Sequence, residues 1–236
     1  PDDAGLTRIS PEDVVEYARS SGARSVSWTY NEPIIWHEFT TAASKMAHAS
    51  GLKTNYVTNG FIQDAPLRDL KGVIDAMNID VKAFREGFYE RICRAKLAPV
   101  LRACETAHAI GMHIELTYLI IPGHNDSEQE IREFSEWVRG SLAGNVPIHF
   151  SAFHPDYRMT GVPRTPSRTL LKAFELAKAA GIEFVYIGNV PAGDKDDTFC
   201  PKCGSLVVRR DGFYVTSTNL KAGRCGKCGA DLNIVV

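Results

Sequence analysis

The chain has 236 residues, 44% hydrophobic and 23% charged, with a formal net charge of -1. Those values suit a globular protein with one buried core, or one domain plus a small appendage. They offer no bulk charge to attract nucleic acid or an anionic membrane, and no apolar run is long enough to cross a bilayer. Ser10-Pro11-Glu12-Asp13 predicts a helix start, with serine as cap and proline at the first helical position, and that helix ends near Gly22. Ser25 to Tyr30 reads as a first strand, closed by the polar knot Thr29-Tyr30-Asn31-Glu32 and by Pro33. A helical pattern runs from about Ile34 to Ser50. Strands follow at Asn55 to Thr58, Ala76 to Val81, His113 to Ile121, Ile148 to Phe153 and Glu183 to Ile187. Between them lie helices at Ala65 to Val73, Arg85 to Ile110 (in two pieces, broken near Pro99), Ser127 to Leu142 and Thr169 to Ala180. Ser127 with Glu130 three residues on is a loose capping box.

Strict alternation of helix and strand argues for βαβ units and a parallel sheet. The strands carry polar residues at period two: Asn78, Asp80 and Lys82; His113, Glu115 and Thr117; His149 and Ser151. An open sheet covered by helices on both faces would want both faces apolar, so the pattern favours a barrel or part-barrel. Nearly every strand ends in polar residues, as it should if the strand ends surround one site. No Gly-x-Gly-x-x-Gly loop follows the first strand, which argues against a dinucleotide fold. The fold class expected is α/β, a partial (β/α)6 TIM-like barrel over residues 1–190, a linker at 191–197, and a small four-cysteine module at 198–236.

Four of the six cysteines fall in that module, as Cys200-Pro-Lys-Cys203-Gly and Cys225-Gly-Lys-Cys228-Gly. Each Cys-x-x-Cys-Gly is a tight knuckle that aims two thiolates at one metal. Four thiolates make a closed tetrahedral site, suited to structural zinc, with an iron site chemically similar. The spacer between the knuckles holds a hairpin-like stretch from Leu206 to Val215. A module this small is expected to need its metal to fold. Unpaired thiols in a chain without a secretory signal fit a reducing, cytoplasmic setting. Cys93 and Cys104 read as packing residues.

Asn78, Asp80 and Lys82 share a strand face, and charges directed into a barrel must pair or bind something. An internal Asp80–Lys82 pair, a polar ligand, and a Schiff-base lysine at Lys82 all remain open at this level. Thr58-Asn59-Gly60 and Pro122-Gly123-His124-Asn125-Asp126 are strand-end turns. His154, at the end of the fifth strand, is either a satisfied core histidine or a ligand contact. The sequence does not decide the role of Glu115.

Taken in order, these motifs resemble the radical S-adenosylmethionine enzymes, close to the activating enzymes of pyruvate formate-lyase. Thr29-Tyr-Asn-Glu-Pro33 looks like a variant of the Gly-Gly-Glu-Pro strand end, which implies that Glu32, with Asn31 beside it, meets the ammonium of S-adenosylmethionine. Val57-Thr58-Asn59-Gly60 is similar to an Asp-Thr-Asn-Gly strand end, and Asn78-Ile-Asp80-Val-Lys82 to Met-Leu-Asp-Leu-Lys. The resemblance implies that Asp80 meets the ribose or a cation, and that Lys82 and His154 meet the carboxylate. Ile121-Pro-Gly-His-Asn-Asp126 is similar to a Val-Pro-Gly-x-x-Asp turn. Phe153 to Thr160, Arg164-Thr-Pro166, Gly188-Asn-Val and the four-cysteine ending resemble the radical enzyme of the AmmeMemoRadiSam group.

The resemblance implies a [4Fe-4S] cluster, a 5′-deoxyadenosyl radical, a reductant such as flavodoxin or ferredoxin, and a protein or small-molecule substrate. The cluster motif of the family, Cys-x-x-x-Cys-x-x-Cys after the first barrel strand, does not occur in this chain. The resemblance therefore predicts a truncated enzyme, with the cluster ligands and first strand before Pro1 and no reductive cleavage by this chain alone. Two other classes compete. One is a barrel lyase or aldolase using Lys82, which borohydride trapping would reveal. The other is a non-catalytic zinc-ribbon binding module, which tight, salt-dependent binding to nucleic acid would reveal.

Overall fold

A computed structural model describes residues 8–212 and 214–234. The first seven residues of the expected barrel domain, Phe213 in the hairpin-like stretch, and Val235 and Val236 lie outside the described residues. Strands and helices alternate as expected, and the strands are numbered in chain order. The chain divides into two compact units, one running up to Asp80 and including Ala98–Ile114, the other Val81–Leu97 with everything from Glu115 on.

In the first unit, helix α1 spans Pro11–Ser20. Its capping box is complete: the Ser10 hydroxyl accepts from the Asp13 N–H at 3.1 Å, and the Asp13 carboxylate accepts from the Ser10 N–H at 2.8 Å. Strand β1 covers Ser25–Trp28, α2 covers His37–Ala49 after a 3-10 turn at Pro33–Trp36, and β2 covers Lys53–Thr58. Helix α3 is Asp64–Asp69 and β3 is Ala76–Asp80. The three strands pair in parallel, with Trp28 opposite Tyr56 and Thr58 opposite Ile79. In β2, Thr54, Tyr56 and Thr58 are buried while Lys53 and Val57 are exposed and Asn55 half-buried. One face of β2 is therefore packed under helices and the other is open, as period-two patterning requires. Val15 and Ala18 of α1 pack on Ala47 of α2 and on Leu52.

The second unit opens with α4, Glu86–Phe88, which continues as a wider π-type turn over Tyr89–Cys93. Arg94 then adopts a left-handed φ of 55°, and the chain returns to the first unit with α5, Leu97–Ala109. The break expected near Pro99 thus falls earlier, at Arg94 to Lys96. Pro99 sits in the first turn of α5, where its missing N–H has no helical partner to lose. The second unit resumes at Glu115 within strand β4 (His113–Ile120), and α6 is Glu128–Trp137, β5 is Ile148–Ala152, α7 is Ser167–Ala179 and β6 is Val185–Gly188. In parallel register, Thr117 faces His149, and His149 faces Tyr186. Buried and half-buried residues alternate along β4 and β5. Tyr118, Phe134 and Phe150 fill the apolar side, with ring centroids 5.0 Å and 6.0 Å apart. All three are fully buried, and burial of each phenylalanine ring contributes about 1.5–3 kcal/mol.

The Ser127 hydroxyl caps α6 by accepting from the Glu130 N–H at 3.2 Å. The Glu130 side chain does not close the box. It is buried, with Oε1 accepting from the Phe84 N–H at 2.7 Å and lying 2.8 Å from the Tyr118 hydroxyl. Burial beside that carboxylate drives the Tyr118 hydroxyl well above the usual phenol range.

The C-terminal module adds β7 (Thr198–Phe199), β8 (Leu206–Asp211), β9 (Tyr214–Thr218), β10 (Leu220–Lys221) and β11 (Arg224–Cys225). It shares an apolar cluster with β6 and the residue before it: Phe184 packs with Cys200, Val207, Cys225 and Leu232, and Tyr186 of β6 lies against them. The stretch 191–197 is pinned at its end by Asp197, a nearly buried carboxylate that accepts from the Arg210 N–H at 2.7 Å.

Candidate functional site

The first unit gathers the ends of β1 and β2 around one carboxylate. Glu32 follows β1, and its Oε1 accepts from the Thr58 hydroxyl at 2.6 Å and the Ile34 N–H at 3.3 Å. Its Oε2 accepts from the Asn59 N–H at 2.7 Å. The turn after β2 is braced in the same way. Thr58 Oγ1 accepts from the Gly60 N–H at 3.1 Å, and Asn59 Oδ1 accepts from the Phe61 N–H at 2.8 Å. Gly60 is required here twice over, by its φ of +69° and because a Cβ would come 2.7 Å from Ile79 Cγ2. Below the turn, Tyr56 hydrogen-bonds Thr40 at 2.6 Å, and burial pushes its hydroxyl pKa up, with Glu32 adding to the shift. Asp80 ends β3, one residue beyond the Thr58–Ile79 pairing. Asn31 is exposed beside Glu32. Glu32, Asn31, Thr58, Asn59 and Asp80 therefore come from consecutive strand ends of one unit.

In the second unit, the backbone of Lys82 is held on both sides. Its N–H donates to the Tyr89 hydroxyl at 3.0 Å, and its carbonyl accepts from Asn125 Nδ2 at 2.7 Å. Asn125 is 1% exposed. Its Nδ2 also donates to the Leu119 carbonyl at 2.8 Å, and its Oδ1 accepts from the Ile121 N–H at 2.6 Å. His154 follows β5 and is exposed. The loop it opens is tied down by Thr165, which is buried. Thr165 Oγ1 accepts from the Phe153 N–H at 2.9 Å and donates to the Ile120 carbonyl at 2.5 Å. Arg164 donates to the Asn189 carbonyl at 2.9 Å, and Asn189 Nδ2 donates to the Ala152 carbonyl at 3.2 Å. The separate sequence stretches around Phe153, Arg164 and Gly188 thus meet at the ends of β5 and β6.

The bracing roles of Asn125 and Thr165 are invisible in the sequence. Their partners are backbone carbonyls and N–H groups, which leave no residue-type signal.

The four cysteines converge. Cys200 and Cys228 Sγ atoms lie 3.6 Å apart, Cys203 and Cys225 lie 3.8 Å apart, and all four fall within 4.8 Å of one another. A tetrahedron of thiolates with metal–sulfur bonds of 2.3 Å has edges of roughly 3.8 Å, so the donor set fits zinc or a similar ion. Gly204 and Gly229, one residue past each knuckle, take φ of +69° and +71°. The Ser205 hydroxyl lies 3.1 Å from Cys203 Sγ and 3.4 Å from Cys225 Sγ. That hydroxyl holds the Cys203 thiol below its ordinary pKa and brings Cys225 down to about 6. Cys104 is fully buried in α5 and Cys93 half-buried, and burial pushes both thiols up, as suits packing residues.

The model of the Radical SAM superfamily matches residues 4–135, and the chain belongs to that superfamily. It is 40% identical to an uncharacterised protein of Methanocaldococcus jannaschii over 238 residues, covering all of this chain and 71% of that protein. It is 25% identical to the benzylsuccinate synthase activating enzyme of Thauera aromatica over 199 residues, covering 78% of this chain and 59% of that enzyme. A domain of a pyruvate-formate lyase-activating enzyme from Bacteroides vulgatus shares the fold, with TM-score 0.62 and 15% identity over 70% of this chain and 99% of that domain. The expected α/β, TIM-like part-barrel class is therefore the observed one. No helix among the described residues is long and apolar enough to cross a membrane.

Proposed function

We propose that this chain is the S-adenosylmethionine-binding part of an activating-enzyme-like radical enzyme. The observation that carries the reading is the Glu32 carboxylate between Thr58 and Asn59. A carboxylate offers about four lone-pair sites. Three are taken by Thr58, Ile34 and Asn59, which leaves one for the ammonium of S-adenosylmethionine. In this reading Asn31, Thr58 and Asn59 line the amino-acid end, Asp80 meets the ribose, and Lys82 and His154 meet the carboxylate. Membership of the superfamily and likeness to a named activating enzyme support S-adenosylmethionine as ligand and a protein as substrate.

When bound and reduced through a [4Fe-4S] cluster, S-adenosylmethionine supplies a 5′-deoxyadenosyl radical in this reading. The residues of this chain do not fit the cluster. No Cys-x-x-x-Cys-x-x-Cys occurs in the 236 residues, and four of the six cysteines are gathered in the C-terminal module. A cluster would need thiolates from outside these residues, so the chain by itself should form no 5′-deoxyadenosine. In the same reading the C-terminal site holds zinc, a one-electron donor such as flavodoxin or ferredoxin is a partner, and the setting is cytoplasmic.

Calorimetric titration with S-adenosylmethionine tests the proposal. Binding that is lost in Glu32→Ala and Lys82→Ala, with folding retained by circular dichroism, is the expected result. Wild-type affinity in both variants would overturn the site, and so would a cluster-loaded, longer form that binds no S-adenosylmethionine.

A further inference from the structure

Two parts of the second unit have no place in the proposed chemistry: the Glu115–His149 pair on the polar face, and the four-cysteine module. A continuous chain of contacts joins them. Glu115 on β4 and His149 on β5 meet at 2.7 Å through His149 Nε2, with both side chains about one-third exposed. The His149 ring stacks on Tyr186 of β6, with centroids 5.0 Å apart and planes 26° apart. Tyr186 is in turn gripped by the module. Its hydroxyl lies 2.9 Å from Thr198 Oγ1 in β7, and the Arg210 guanidinium of β8 sits over its ring at 5.5 Å. Arg210 also donates to Thr198 Oγ1 at 2.8 Å and to the Asp196 carbonyl at 2.8 Å. Cys200 follows Thr198 by two residues, and its neighbours Val207 and Cys225 pack in the same cluster as Phe184.

We infer that the metal-loaded module is a positioning element for the polar face of β4–β6. Metal at Cys200, Cys203, Cys225 and Cys228 fixes Thr198 and Arg210, these fix Tyr186, and Tyr186 fixes the orientation of the His149–Glu115 pair. The physical reason lies in what holds Tyr186 in place among the described residues. Its ring is half-buried and its named contacts above the sheet come from the module, so a module that loosens frees the ring. The imidazole then loses its stacking partner, while its contact with the Glu115 carboxylate stays. Thr198, Arg210 and Tyr186 act through His149, and coupling of this kind is reciprocal: whatever the metal does for the pair, the pair does for metal affinity. The inference is independent of S-adenosylmethionine binding.

The test uses the whole chain with and without zinc. Ring signals of the histidines are followed by NMR, with His149 assigned through His149→Gln. His48, which meets Asp75 at 2.7 Å in the other unit, serves as internal control. Stripping zinc should shift or broaden the His149 signal and leave His48 unchanged. Zinc affinity, measured by competition with a chromophoric chelator, should fall at least about 5-fold in Tyr186→Phe and in Thr198→Val. It should not change in Tyr214→Ala, at an exposed position of β9. An unchanged His149 signal on zinc removal overturns the inference, as does wild-type zinc affinity in both variants. Simultaneous loss of the His48 signal also overturns it, because the metal would then be a general folding staple.

Discussion

Removing the side chain of Asn125 should unsettle the second unit more than its small size suggests. The residue is 1% exposed and makes three contacts with the backbone, at Lys82, Leu119 and Ile121. In Asn125→Ala the Lys82 and Leu119 carbonyls and the Ile121 N–H lose their partner together. A buried polar group left without a partner costs about 1–3 kcal/mol. Water entering the vacated space relieves part of this, so the lower end applies to each group and the sum is about 3 kcal/mol. Total stability of a domain is only about 5–15 kcal/mol, so this is a large share. Urea denaturation should show the loss as a lower midpoint at nearly constant slope. Asn125→Asp sharpens the test. It keeps the acceptor for Ile121 but turns an oxygen toward two carbonyls, so at neutral pH it should be as damaging as alanine. On acidification the protonated form can donate to one of the carbonyls, and the gap to wild type should narrow. A loss below about 1 kcal/mol in both variants would show that the three contacts are not what holds Lys82 in place.

Glu32→Gln should abolish S-adenosylmethionine binding and cost about 1–2 kcal/mol in thermal or urea melts, because its NH2 must face one of three donors, Thr58, Ile34 or Asn59. Gly60→Ala should destabilise by about 1–3 kcal/mol through a positive φ and a 2.7 Å approach to Ile79; a melt within error of wild type would refute it. Asp75 gives a pH dependence. Burial raises its pKa, but Lys53, the Thr54 N–H and His48 outweigh burial and hold it below the ordinary value of 3.8. A carboxylate depressed in the folded state contributes stability that is present above pH 3.8 and lost as pH falls through its folded value. Acid unfolding of Asp75→Asn should therefore be shallower than that of wild type, and parallel curves would refute the assignment.

The parts of the Glu32 site differ in how far residue types could reveal them. The strand-end carboxylate at Glu32 and the Thr58-Asn59-Gly60 turn were legible, because a strand that stops in polar residues and a glycine forced to positive φ both follow from local chemistry. Their mutual contact was not, because parallel register is set by helices and turns far away in the chain. The helix break shows the same limit. Pro99 looked like the breaker, yet proline is at home in a first turn, and the left-handed Arg94 that does break the helix carries no residue signature.

Glu130 marks a further boundary. Its spacing from Ser127 satisfies a local rule, but the buried Phe84 N–H and Tyr118 hydroxyl give the carboxylate better use than the helix end does. The four cysteines were the most legible feature, since metal spacing is local to each knuckle. What the spacing could not show is that the module grips Tyr186 of β6 from above. A cysteine pattern specifies its own donor set; the surface it leans on is specified only by packing, through residues such as Phe184 and Tyr186 that read from sequence as ordinary strand core. The boundary drawn at 191–197 is a break in composition, and the apolar cluster of Phe184, Cys200, Val207 and Leu232 runs straight across it. Metal removal from this module should accordingly be felt in β6 before it is felt in the first unit.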